Sequence, residues 1–327
     1  MRRGTIFACC LLAAVLGSTG AQAAGLGTVR IGVLKFGTVN WELDVIKHHG
    51  LDTKQDFTLD IQGYGGNDAA DVALMGGAVD GIVEDWLWVS RQRASGALLT
   101  FIPYSSSVGA VMVAPDSKIA KLDDLEGKKI GVSGGPLDKG WILIQALAKD
   151  AYGVDLAKDA QPVYGAPPLL SEKLKSGELD AALNYWQYCA RLEAEGYKRL
   201  IGVQDAQAGL GVPADTPQLG YIFHEDWADQ HPDLVKAFSR ASRAAKQIML
   251  KSDEEWERLR PLTKAENDAT LEALKTRYRE GIVTSWGEKE REAAAELYAV
   301  LARLGGEKLV GPSPTLADGT FWAGVTY

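Results

Sequence analysis

Four of the nine tryptophans, Trp41, Trp86, Trp141 and Trp186, stand within a few residues of the end of an apolar, β-rich run, each with polar side chains around it. Glu84 and Asp85 precede Trp86, Asn184 comes shortly before Trp186, Thr38 and Asn40 lead to Trp41, and Ser133, Asp138 and Lys139 lead to Trp141. Aromatic walls with a few polar groups between them are the composition of a small-molecule site. Carboxylates beside indoles would hold a cationic or hydrogen-bond-donating ligand, with each indole face adding about 0.5–2 kcal/mol of cation–π attraction. The glycine-rich run Ser133-Gly134-Gly135-Pro136 opens a helical pattern and could present backbone N–H groups to an anion. Each feature also has a plainer reading. The tryptophans pack helices onto sheets, Asp138 caps the helix it precedes, and Lys139 pairs with a ligand anion or with Asp138.

Groups for bond-making chemistry are scarce. His48 and His49 are adjacent, so they cannot share a helix face as metal ligands at i and i+4 would, and a solvated helix end is the expectation for them. His224 and His231 lack Cys or Glu neighbours at metal-ligand spacing. Ser133 is not in a G-x-S-x-G elbow. No catalytic residue, metal or cofactor is expected. Of three cysteines, Cys9 and Cys10 fall in an N-terminal segment expected to be removed, which leaves Cys189 as buried filler.

The elements that must position these residues come from an internal repeat. Tyr64-Gly65 … Gly77-Ala78-Val79-Asp80-Gly81-Ile82-Val83-Glu84-Asp85-Trp86 recurs as Tyr164-Gly165 … Gly177-Glu178-Leu179-Asp180-Ala181-Ala182-Leu183-Asn184-Tyr185-Trp186 at a constant offset of 100 residues. Arg30-Ile31-Gly32-Val33 returns as Lys129-Ile130-Gly131-Val132. Two copies of a β-α-β-α-β unit imply two open parallel-sheet lobes of similar construction. The patterns place lobe-one strands at 29–35, 57–62 and 81–84 with helices at 40–49 and 67–76. They place lobe-two strands at 129–133, 162–164 and 181–184 with helices at 139–151 and 169–176. Runs 98–104 and 110–114 lead out of lobe one, and 219–223 after the loop 209–217 returns to it, so two crossings form a hinge. The remainder reads as helical, with Pro232 in a first turn, Ser285 and Glu288 as a capping box, and Leu297, Leu301 and Leu304 on one face. Ligands of such sheets sit beyond the carboxyl ends of the strands, where the residues above fall.

The chain has 327 residues, 46% of them hydrophobic and 24% charged, a composition that excludes disorder and a polytopic membrane protein and suits two lobes better than one. A formal charge of −8, from 35 basic and 43 acidic residues, gives no surface for nucleic acid. Met1-Arg2-Arg3-Gly4, the apolar run 5–17 and Ala21-Gln22-Ala23 follow the order of a secretory signal peptide. The apolar run is shorter than the ~20 residues that span a bilayer. The expected organisation is a signal peptide over 1–23 cleaved after Ala23, lobe one over 24–110 and 208–327, and lobe two over 111–207.

The loop Lys35-Phe36-Gly37-Thr38, the phrase Gly76-Gly77-Ala78-Val79-Asp80-Gly81, the segment Lys121-Leu122-Asp123-Asp124-Leu125-Glu126-Gly127-Lys128-Lys129-Ile130-Gly131-Val132 and the run Leu174-Lys175-Ser176-Gly177-Glu178-Leu179-Asp180-Ala181-Ala182 carry a family resemblance. Together with the leader, they resemble the periplasmic binding proteins that serve ABC importers of sulfonates, taurine, nitrate and thiamine-type pyrimidines. That resemblance spans nearly the whole mature chain. It implies a type II periplasmic binding fold, with two mixed sheets flanked by helices, a two-strand hinge, a ligand in the cleft, a membrane permease as partner and a monomeric state. Carried over position by position, the ligand contacts would be Thr38, Asn40, Trp41, Glu84, Asp85, Trp86, Ser133, Asp138, Asn184 and Trp186. The acidic and aromatic strand ends direct the expectation to a compact, nitrogen-containing, aromatic or cationic solute in preference to a sulfonate, held between Trp86 and Trp186. The alternatives are a sensor-coupled binding module and an enzyme on the same fold resembling the thiamine-pyrimidine synthases.

Overall fold

The computed structural model describes residues 25–327; the expected leader and its cleavage site lie outside the described residues. The chain opens with β1 (Gly27–Leu34), α1 (Val39–His48), β2 (Phe57–Tyr64), α2 (Asn67–Met75), β3 (Gly81–Asp85), α3 (Trp86–Ala94) and β4 (Leu99–Ser105). Val29, Ile31 and Val33 put alternate apolar side chains of β1 into the core, as a strand period of two requires. The chain then crosses to a second sheet through Ser106, Ser107 and Val108 and continues as β5 (Gly109–Val113), β6 (Lys129–Val132), α4 (Lys139–Tyr152), α5 (Leu156–Asp159), β7 (Gln161–Tyr164), α6 (Pro167–Lys175), β8 (Ala181–Tyr185), α7 (Trp186–Ala194), β9 (Lys198–Gly202) and α8 (Val203–Gly209). It returns with β10 (Leu219–His224) and closes with five helices, α9 (Glu225–Gln230), α10 (Pro232–Lys251), α11 (Asp253–Thr263), α12 (Asp268–Glu280) and α13 (Glu288–Val310).

The two sheets have the same plan. Sheet one runs β2-β1-β3-β10-β4 and sheet two β7-β6-β8-β5-β9. In each, three parallel strands come from one copy of the repeat, and the fourth strand is antiparallel to both its neighbours. That fourth strand, β10 or β5, is also the one that enters directly from a crossing. The crossings lie side by side, with the Gln218 N–H donating to the Ser105 carbonyl at 3.1 Å. Gly109, where the first crossing enters β5, lies opposite Tyr185, and a Cβ there would come 2.2 Å from the Asn184 carbonyl oxygen, so the position demands glycine. The 100-residue offset is exact in space as well: β3 and α3 match β8 and α7 residue for residue.

Several expectations need correction. The capping box sits two residues later than Ser285 and Glu288, because the Gly287 N–H donates to the Glu290 carboxylate at 2.7 Å and the Ser285 hydroxyl joins it at 2.8 Å. Leu297 and Leu301 are buried on α13, but Leu304 is exposed just before Gly306, whose φ of 59° breaks the helix line. β9 and α8 fall where no element is expected from the sequence patterns. The C-terminal helices also reach sheet two: α12 packs on α7, with Arg277 gripping Glu193 at 2.7 Å, and α13 lies against both α3 and α4. Among the described residues no helix is long and apolar enough to cross a membrane.

Candidate functional site

A cleft of about 450 Å³ opens where the carboxyl ends of the two sheets' parallel strands face one another. Its walls come from the loop after β1 (Gly37, Thr38), the β3–α3 junction (Glu84, Asp85, Leu87, Trp88, Arg91), α2 (Asn67, Asp71), the loop before α4 (Gly134, Leu137, Asp138, Lys139), the β8–α7 junction (Tyr185, Trp186, Gln187) and the two crossings (Ser107, Val108, Gln218, Leu219). Both copies of the repeat therefore supply their strand-to-helix junctions, the position at which open α/β sheets present ligand contacts.

Of the ten residues expected at the site, Thr38, Glu84, Asp85, Asp138 and Trp186 line this cleft. Asn40 lies just outside it, its amide donating to the Leu34 and Gly37 carbonyls at 2.8 and 2.7 Å, where it closes the β1–α1 turn. The Ser133 hydroxyl is buried and donates to the Leu183 carbonyl at 3.1 Å, tying β6 to β8. Asn184 is fully buried; its amide donates to the Pro167 carbonyl and the Ser171 hydroxyl while its oxygen accepts from the Tyr185 N–H. These three hold the junctions in shape and do not present polar atoms to the cleft.

The tryptophans divide in the same way. Trp41 and Trp141 are buried, at 5% and 1% exposure. Trp41 packs edge-on against Trp186 and Trp256, with centroids 5.8 and 6.0 Å apart, so Trp186 is the cleft-facing rim of an aromatic cluster that also includes Tyr278. Trp86 is 2% exposed, lies against Tyr298 and Phe321, and donates its indole N–H to the Pro217 carbonyl at 2.8 Å in the return crossing. The expected sandwich between Trp86 and Trp186 is therefore not what the fold builds. A helix turns about 100° per residue, so Trp88 occupies the face opposite Trp86, and Leu87, Trp88 and Arg91 form the α3 stripe that meets the cleft. Asp71, Trp88, Arg91 and Tyr185 were not among the expected contacts. The pair Trp86 and Trp88 flanking Leu87 was the available signal, since alternate residues at a helix start face opposite ways.

Electrostatically the cleft is acidic. Asp71, Glu84 and Asp85 project from the first sheet's side and Asp138 from the second's. Burial, then the neighbouring charges of Asp85 and Asp71, push the Glu84 carboxyl up to about 8, while Lys139 pulls the other way. Burial, with Asp68 and Asp85 nearby, raises Asp71 to about 6, and one of its oxygens is buried without a hydrogen-bond partner. Burial also raises Asp138, whose side chain nevertheless accepts from the Trp141 N–H at 2.9 Å and so caps α4. Lys139 does not pair with Asp138: its ammonium reaches across the cleft to Asp85 at 2.7 Å. The other Asp85 oxygen accepts from the Trp88 N–H at 2.7 Å, capping α3.

Among the described residues, no group of three or more His, Cys, Asp or Glu is placed to hold a metal ion. Cys189 is buried and its thiol is pushed up to about 12 by burial, the state of an inert filler.

Comparison with curated proteins gives no significant match. Comparison with solved structures gives many. The periplasmic aliphatic sulphonate binding protein SsuA from Escherichia coli superposes with a TM-score of 0.71 at 18% identity, covering 90% of this chain and 97% of that one. The alkanesulfonate-binding protein SsuA from Xanthomonas axonopodis pv. citri, bound to MOPS, gives 0.69 at 17% identity, covering 90% and 98%. A putative sulfonate ABC transporter periplasmic sulfonate-binding protein from Methylobacillus flagellatus gives 0.66 at 17%, covering 89% of each chain. At these identities the likeness is one of fold: two mixed sheets flanked by helices, as the family resemblance implied, with the antiparallel β10 and β5 correcting the wholly parallel sheets that the repeat alone implies. A family model described as "NMT1/THI5 like" matches residues 42–256, about two thirds of the sequence, and the chain belongs to that NMT1/THI5-like family.

Proposed function

We propose that this protein is the solute-binding component of an ABC importer, exported to the periplasm with its leader removed after Ala23, which captures a small organic solute between its lobes and delivers it to a membrane permease. The fold and the family support solute binding. The cleft supports the ligand class: its four carboxyl groups, Asp71, Glu84, Asp85 and Asp138, of which Glu84 keeps its proton to about pH 8, are set among the apolar surfaces of Trp88, Trp186, Leu87 and Leu219. Of its two cations, Lys139 is already held by Asp85. A bare sulfonate would enter against this field, whereas a compact nitrogen-containing solute, cationic or with several N–H donors and an aromatic body, satisfies both the carboxylates and the indoles. The observation that carries the reading is the convergence of Asp71, Glu84 and Asp85 on one wall of the cleft.

Native mass spectrometry of protein purified from its own periplasm, followed by a thermal-shift screen, tests the proposal. A ligand present at about 100 times its dissociation constant stabilises the folded state by about 2.7 kcal/mol. The expected hits are organic cations and amino- or amidino-substituted aromatics. Tight binding of simple alkyl sulfonates or nitrate, with no response to cations, refutes the ligand class. Intact mass beginning at Met1 in secreted material refutes the exported form.

A further inference from the structure

The Asp85 carboxylate is unusually constrained for a cleft residue. One oxygen is committed to the α3 cap through the Trp88 N–H, which leaves the other, at the end of β3, as the only one free to meet a partner in the cleft. Lys139 occupies that oxygen from the opposite lobe, at the first turn of α4, with its side chain 14% exposed. Lys139 therefore holds a primary ammonium against the acidic wall, where a cationic solute would place its own charged nitrogen.

We propose that Lys139 is an internal stand-in for the solute's cationic group: a bound cation takes its place on Asp85, and the side chain transfers to the adjacent Asp138. The inference rests on the cationic-solute reading above. Two ammonium groups cannot share one carboxylate oxygen without repelling each other, so the solute and Lys139 compete. The competition is balanced because Asp138, the next residue back along the chain, is a carboxylate on the same lobe as Lys139 and already lines the cleft. Each cation keeps an anionic partner after the exchange, and no unpaired charge is left buried. Lys139 thus sets a threshold. A neutral molecule leaves the Lys139–Asp85 pair in place, whereas a cation must out-compete it, so Lys139 lowers the affinity for cations and narrows their advantage over neutral molecules.

Benzamidinium and its neutral isostere benzamide serve as probes, with benzenesulfonate as the anionic control, each measured by titration calorimetry on the full mature chain. Wild type should bind benzamidinium in preference to benzamide. In Lys139→Met, which keeps the alkyl stem and removes the competing ammonium, that preference should rise about fivefold, the factor for an ion pair of this partial exposure. Asp85→Asn, which retains a helix cap, should abolish the preference. Circular dichroism checks the fold of each variant, and Lys139→Gln replaces Lys139→Met should the latter not fold. If wild type prefers benzamidinium but the preference is unchanged or smaller in the Lys139 variant, the stand-in role is overturned and the cationic reading survives. If neither protein binds benzamidinium better than benzamide, or both favour benzenesulfonate, the cationic reading falls and the stand-in role falls with it.

Discussion

Replacing Glu84 by Gln should make the protein more stable in mild alkali and flatten its dependence on pH. The groups that face Glu84 are Asp85 beside it on β3, Asp71 from α2 and Lys139 from the other lobe; the first two, added to burial, outweigh the third and raise its carboxyl to about 8 from an ordinary 4.5. An acid raised in this way is protonated in the folded protein through a range where the unfolded chain has already released its proton. The folded state then binds more protons than the unfolded one, so stability falls as pH rises from the unfolded value towards the folded one. One pKa unit corresponds to about 1.4 kcal/mol, so between about pH 5.5 and pH 8.5 this single group removes at most about 3 kcal/mol. Solvent entering the cleft reduces that figure, and about 1–2 kcal/mol is the working expectation. Asp71, raised only to about 6, completes most of its own effect at the acidic end of this range. Urea unfolding at half-unit pH steps, for wild type and Glu84→Gln side by side, isolates the effect, because every other titrating group is common to both. The difference in stability should grow with pH in favour of the variant. A constant difference, or a variant that loses ground above neutrality, would show that Glu84 is ionised and paired in the folded protein.

Trp186→Ala should weaken solute binding by about thirtyfold and, because Trp186 is also one edge of the cluster with Trp41 and Tyr278, cost about 3 kcal/mol of stability; calorimetry and an unfolding curve on one sample separate the two losses. Asn184→Ala should lower stability by about 2–4 kcal/mol, since the Pro167 carbonyl, the Ser171 hydroxyl and the Tyr185 N–H lose their partner; direct ligand contact by Asn184 would instead appear as lost affinity at unchanged stability. Gly109→Ala forces a Cβ onto the Asn184 carbonyl oxygen and should displace the first crossing, seen as a changed radius of gyration in small-angle scattering together with a lowered melting temperature; wild-type values for both would mean that the strand yields without consequence.

The repeat made the architecture legible because it records a local event, a strand ending at a polar residue and a helix beginning at tryptophan, and that event recurs at the same spacing. It also pointed to the correct ends of the sheets. What it could not resolve was direction within the first turn of each helix. Trp86 and Trp186 are equivalent in sequence, yet one is turned onto Tyr298 and Phe321 from the C-terminal region while the other meets the cleft, and the difference is set by a segment outside the repeat. β9 escaped notice because an edge strand beginning Lys198-Arg199 lacks the apolar run of a central one, and charge at an edge is how sheets avoid pairing with strangers. The partner of Lys139 was hidden for a different reason. The protein partner considered for it, Asp138, is next to it in the chain, and the one it adopts lies 54 positions away on the other lobe.

The shared strand plan of the two sheets has a consequence for how the chain is assembled. Every strand of sheet two lies in the uninterrupted stretch from Gly109 to Gly202, so that unit holds all its own pairing partners. Sheet one does not: β2-β1-β3 and β4 remain separate until Leu219–His224 is available to slide between β3 and β4, antiparallel to both. A chain that emerges from its N-terminus therefore makes the strands of sheet one first yet completes that sheet last, and in the interval the edges of β3 and β4 are open templates for another molecule. A fragment ending before Leu219 should keep an intact second sheet beside a first one split down its middle, and aggregation through those two edges is the failure that such a fragment, or a slow-folding variant of β10, would show.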